Sequence, residues 1–134
     1  MQYGDITRTD EYTRLPAPYV GTFTRDMTLA TGTQAITSIG FRPTAIQFIS
    51  AKEFTISYSS GFSGGNTSRS WGLQDDTTDA WHDPGNGVCI YVRTSSSDGQ
   101  AGSLNSFDAD GFTIGWLKQG TPTGTLRVSY IAYK

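Results

Sequence analysis

The residues with the most chemistry in them lie in one acidic stretch, QDDTTDAWHDPGNG, from Gln74 to Gly87. There Asp75, Asp76, Asp79 and Asp83 surround Trp81 and His82. Carboxylates in a carbonyl-rich loop are what a calcium ion takes as ligands, and an indole beside acids and amides can hold a sugar by stacking and hydrogen bonding. The spacing DDTTDAWHD does not follow the EF-hand pattern, however, and Asp favours turns on its own account. The plainer reading is a solvated turn in which Trp81 caps the edge of the core. His82 then reads as a surface group, since a lone histidine has no partners to make ligation tight.

Catalytic kits are hard to assemble from the rest. The chain has one His and one Cys. It has no Gly-Lys-Ser/Thr phosphate loop and no pair of His spaced for zinc. Paired carboxylates can hydrolyse glycosides, yet the acids here fall in turns, where solvent keeps them ionised and a general acid with a raised pKa is hard to arrange. The expectation is a protein that is not an enzyme and uses no cofactor or metal. A net charge of −2 without a long block of either sign argues against nucleic acid or membrane as the main partner. Cys89, within VCIYV, reads as a small buried hydrophobe without a disulfide partner. MQYGDITRTDEY lacks a basic and apolar leader, and no stretch approaches about 18 apolar residues, so folding in a cytoplasm is expected.

The elements that must position these residues read as strands. A chain of 134 residues is expected to form one domain with a real core. Aromatics at 13%, 16 Gly and abundant Ser and Thr suit short strands and many turns better than helices. The stretch around which the others arrange is Ile36 to Ser50, ITSIGFRPTAIQFIS. Pro43 fixes its own φ and disfavours helix at Arg42, and Gly40 can take a conformation closed to other residues, so the chain should bend here between two strands.

Alternation places further strands at Tyr19 to Met27, at Thr31 to Ile39, in TAIQFIS, and in KEFTISYSS with Phe54, Ile56 and Tyr58 facing inward. TAIQFIS is expected to be buried along most of its length. GFSGGNTS (Gly61 to Ser68) and SSSDGQAGS read as surface loops, and SRSWGL as a short segment bearing a more open Trp71. VCIYVRT, FTIGWLK and TLRVSYIAYK complete the set, with Trp116 inward beside Phe112 and Ile114, and with Tyr130 and Tyr133 on opposite faces. About eight to nine strands without a helix predict an all-β fold, an antiparallel β-sandwich that is jelly-roll-like, over residues 19–134. Residues 1–18 read as an extended N-terminal arm ending in LPAP. Its Tyr3, Ile6, Tyr12 and Leu15 are more apolar bulk than a solvated tail carries, which suggests contact with a neighbouring subunit.

The series YVGTFTRDM, TGTQAITSIGFRPTAIQFIS, DADGFTIGW and TGTLRVSYIAYK resembles a recurrent module of tailed-phage and prophage virion proteins, over Tyr19 to Lys134. The resemblance is carried by the Ile36 to Ser50 corner and the closing GFTIGW and YIAYK segments, and the middle of the chain departs from it. It implies a small β-sandwich component of a tail or capsid surface, made in the host cytoplasm and located in the virion. Such a protein would be a capsid decoration or minor tail protein, homo-oligomeric and often trimeric, with other virion proteins as partners. A second expectation from the residues is a carbohydrate-binding module or receptor-binding tip of a phage tail. It would use Tyr58, Trp71 and Trp81 with Asp79 and Asp83 to hold a host glycan.

Overall fold

The computed structural model describes residues 16–74, 81–82 (backbone only) and 85–134. The strands are β1 (Tyr19–Asp26), β2 (Gly32–Ile36), β3 (Ala45–Lys52), β4 (Tyr58–Ser63), β5 (Ser68–Leu73), β6 (Trp81–His82), β7 (Ile90–Arg93), β8 (Gly99–Asp108), β9 (Gly111–Gln119) and β10 (Thr125–Tyr133). They form a six-stranded sheet, in the order β1-β10-β3-β4-β5-β6, facing a four-stranded sheet, β2-β9-β8-β7. Every pairing is antiparallel. The all-β sandwich expected from the sequence is what the chain forms. Its wrapping is jelly-roll-like on one side: β1 to β2, β2 to β3 and β9 to β10 each cross between sheets, whereas β3-β4-β5 and β7-β8-β9 are successive hairpins.

The core lies between the sheets and centres on Phe112, whose ring meets Tyr130 at 5.1 Å, Phe48 at 5.8 Å and Phe23 at 6.3 Å, all edge-on. These are preferred aromatic geometries. Ile46, Ile90, Val92, Ile114, Leu126 and Val128 fill the space around them. Trp116 is buried, as expected. Its Nε1–H donates to Gln34 Oε1 at 3.0 Å, the Gln34 amide then donates to Thr24 O at 3.0 Å, and the Arg25 guanidinium lies 5.3 Å above the indole. One side chain thus ties the edge strand of each sheet to the other, satisfying a carbonyl that the edge of β1 would otherwise expose.

The Ile36 to Ser50 stretch does bend, and the bend carries the chain from one sheet to the other. Ser38 and Gly40 take φ of 69° and 92°, turning successive N–H groups toward Asp110. Asp110 Oδ2 accepts from Ser38 N at 3.1 Å, Oδ1 from Gly40 N at 2.6 Å, and its carbonyl accepts from Ile39 N at 3.2 Å. Arg42 Nη1 donates to Phe107 O at 2.7 Å on the same hairpin. Two of the segments that carry the sequence resemblance, the corner and DADGFTIGW, are therefore joined to each other.

Five expectations are corrected. β2 stops at Ile36 because the corner begins directly after it. TAIQFIS is not buried along its length: Ile46, Phe48 and Ser50 face the core while Gln47 and Ile49 face out, since among the described residues only one side of this sheet is covered. KEFTISYSS is not one strand with Phe54, Ile56 and Tyr58 inward. Lys52 N–H donates to Ser57 O at 3.0 Å, closing a turn in which Phe54 has φ 60° and is fully exposed, with Ile56 exposed beside it. The turn sets the register of β4, and its parity places Ser57, Ser59, Gly61 and Ser63 inward.

Close packing explains those small residues. A Cβ on Gly61 would collide with the Cys89 carbonyl oxygen, so β4 has room only for hydrogen at this point. Ser59 Oγ accepts the Tyr91 N–H of β7 at 3.0 Å, and Ser68 Oγ donates to Ser63 Oγ at 2.8 Å. The Ser59 hydroxyl thus answers a backbone group of β7, the edge strand of its sheet among the described residues. Consequently GFSGGNTS is strand at both ends, with a turn only across 64–67. SSSDGQAGS likewise ends in the buried start of β8, where Gln100 Nε2 donates to Met27 O at 3.0 Å and Leu29 O at 2.9 Å.

Candidate interaction face

The outward side of the six-stranded sheet presents rows of side chains fixed by register. One row runs Val20, Ile131, Gln47, Phe62, Arg69; the next runs Thr22, Ser129, Ile49, Ser60, Trp71; a third runs Thr24, Arg127, Ala51, Tyr58, Leu73. Five of the large apolar members are exposed: Val20 is 70% exposed, Ile49 60%, Trp71 43%, Phe62 38% and Tyr58 37%. Scattered single apolar residues are ordinary at a surface, but neighbours in adjacent rows form a patch, and patches mark contacts.

The patch has relief. A shallow groove of about 240 Å³ lies among Val20, Gln47, Ile49, Ser129, Tyr130 and Ile131. A second depression of about 360 Å³ adjoins it at Ser129 and runs past Thr22 and Thr24 to Arg127, where the wall is polar. Arg127 pairs with Glu53 at this end. Phe62 and Trp71 stand on the other side of the groove as a tilted ring pair, centroids 6.3 Å apart. They are diagonal neighbours on β4 and β5, the separation at which large aromatics on a sheet still touch.

The expected glycan residues divide. Tyr58 and Trp71 share this face, one row apart, and both are exposed. Trp81 lies on β6 with its backbone in register with Leu73. Asp79 and Asp83, and the arm residues Tyr3, Ile6, Tyr12 and Leu15, lie outside the described residues. Phe62, Ile49, Val20 and Ile131 were not singled out by sequence reasoning. The signal for Ile49 was its shared parity with Gln47 in a strand where Phe48 faces the other way.

Elsewhere the ionisable groups are used structurally. Asp98 accepts from Thr121 N at 2.7 Å and Ser95 Oγ at 2.8 Å, and Asp108 accepts from Ser106 Oγ and Thr113 Oγ1, each at 2.7 Å. These bonds to the charged form hold both carboxyls below the usual carboxylate range. Burial pushes the Cys89 thiol up to about 12. Among the described residues no three His, Cys, Asp or Glu side chains gather as metal ligands, and no helix is long and apolar enough to cross a membrane.

No family model and no curated protein matches the chain. Among solved structures it is similar to a tailspike protein, gp49, of Acinetobacter baumannii bacteriophage Fri1, a capsular polysaccharide depolymerase, at 15% identity and a TM-score of 0.37. The match covers 94% of this chain and 21% of that one, so the chain spans about a fifth of the tailspike's length. A superposition this loose does not bear on function.

Proposed function

We propose that the protein is a non-enzymatic structural component of a tailed-phage virion, a capsid decoration or minor tail protein that assembles as a homo-oligomer, a trimer at threefold positions in the capsid case. The observation that carries this reading is the uncovered apolar side of the six-stranded sheet, with Val20, Ile49, Tyr58, Phe62 and Trp71 open to contact. The resemblance of the corner and of the closing strands to virion modules supports it, since the corner and the GFTIGW hairpin meet at Asp110 and so form one structural unit. Many modest contacts of this kind, repeated around a symmetric particle, sum through multivalency.

The test is to purify particles by density gradient and count copies of the protein per particle. A count matching the capsid lattice identifies decoration, a handful identifies a tail position, and absence from particles refutes the reading. Ile49→Asp is expected to lower the count, because a charge on the patch must be desolvated on binding.

The Phe62 and Trp71 ring pair supports a second reading, a host-glycan site on the same face. Saturable signal on a glycan array that Trp71→Ala abolishes would favour it. Silence across the array would remove it.

A further inference from the structure

We infer that the groove between Val20, Ile49 and Ile131 receives the N-terminal segment, residues 1–15, of a second copy of this chain. This contact rests on the assembly role proposed for the protein and gives that role a specific partner surface.

The groove's own chemistry narrows its occupant. Val20, Ile49 and Ile131 give it apolar walls, while Gln47 and Ser129 leave polar groups at the lining. A tyrosine satisfies both demands, because its ring fills apolar space and its hydroxyl then finds a partner. At about 240 Å³ the groove is of a size for one large side chain. The fifteen residues before Pro16 supply Tyr3 and Tyr12, together with Ile6 and Leu15, in a segment otherwise polar.

The place where that segment leaves the domain points to another copy's groove. Pro16, Ala17 and Pro18 are exposed and lead into β1 one residue before Val20, which is itself a wall of the groove. The prolines hold φ near −65° and bias Ala17 toward an extended path. Upstream, EYTRL from Glu11 to Leu15 contains no Gly, Asn, Asp or Pro to reverse the chain. A segment of fifteen residues can reach up to roughly 50 Å, at about 3.3 Å per extended residue. That reach is long enough to bring Tyr12 or Tyr3 to the groove of a neighbouring copy.

The full-length chain with Ile49→p-benzoylphenylalanine is irradiated, resolved by mass on a denaturing gel, and mapped by peptide mass spectrometry. Covalent dimers whose cross-linked peptide lies within residues 1–15 are the expected result. Cross-links to residues 1–15 that migrate as monomer would mean that a chain fills its own groove, and would overturn the inference. Dimers linked through residues of the sandwich would mean face-to-face packing, and also overturn it, as would no cross-link from a variant with an unchanged unfolding midpoint. In parallel, Ile49→Asp is expected to reduce the mass of the full-length protein by light scattering to that of a monomer. Particle incorporation is scored separately, so a failed arm contact with normal incorporation sinks this inference alone.

Discussion

Asp110 holds Gly40 by a 2.6 Å hydrogen bond from the Gly40 N–H to Oδ1, although the two stand 70 positions apart in the chain. The bond fastens the crossover between the sheets to the β8–β9 hairpin at the point where Gly40 takes φ 92°. With the Ser38 N–H on the other carboxylate oxygen, one side chain satisfies two donors that no strand ladder reaches. Asp110→Ala is expected to lower stability by about 1–2 kcal/mol, a midpoint shift in urea without change of slope. Asp110→Asn, which keeps an acceptor oxygen, should lose less; equal loss would show that only the local turn matters.

Phe112 contacts three other aromatic rings at the centre of the sandwich. Phe112→Ala is expected to cost about 3–5 kcal/mol, measured as a large fall in thermal midpoint. Trp71→Ala, by contrast, should cost less than about 1 kcal/mol while reducing incorporation into particles, because its ring is outside the core. The contrast between the two variants separates folding from contact.

Gly61→Ala drives a methyl group into two backbone carbonyls, those of Cys89 and Arg69, the latter at 2.7 Å. Neither can swing aside as a side chain tip would. Destabilisation at or above the ~3 kcal/mol upper end usual for overpacking is expected by chemical denaturation. A near-neutral result would mean that the two sheets can separate locally.

Cys89 is fully buried and its thiol is pushed up to about 12. At pH 8 a thiol reagent is therefore expected to modify it only as fast as the domain opens. Labelling at the rate of an exposed cysteine in native buffer would contradict this packing.

Asp26, Asp98 and Asp108 all sit below the ordinary carboxylate range, first of all because hydroxyl or backbone N–H groups bond their charged forms. A carboxyl lowered in the folded state contributes stability that is fully present above its unfolded value of about 3.9 and is lost as pH falls through the folded value. The urea midpoint is expected to hold from neutral pH to about 5, then drop below about pH 4. A variant with Asn at all three positions should start lower and depend less on pH; an unchanged acid slope would assign the loss to other groups.

Much of the fold was legible because β-strands advertise themselves by alternation. FTIGWLK and TLRVSYIAY each put one parity into the core, so Phe112, Ile114, Trp116, Leu126, Val128 and Tyr130 could be read directly. The corner was legible for a different reason, since Gly40 and Pro43 restrict the backbone whatever surrounds them. The candidate face was only half legible. Trp71 was visible as an aromatic in a short polar strand, but Phe62 was hidden in a segment whose Gly and Ser composition reads as loop.

By itself the sequence determined that most of the strongly alternating segments extend, that the chain must turn between Ile36 and Ser50, and that an all-β domain results, because these follow from local steric preference and from the period of apolar residues. Tertiary structure alone decided which side of β3 and β4 is covered. KEFTISYSS alternates on both parities, apolar on one and hydroxyl on the other, and hydrophobicity favours the wrong one. The nearness of β7, whose Tyr91 N–H needs Ser59, and of the Cys89 carbonyl just before it, which leaves no room beyond Gly61, outweighs it and turns Tyr58 and Phe62 to solvent.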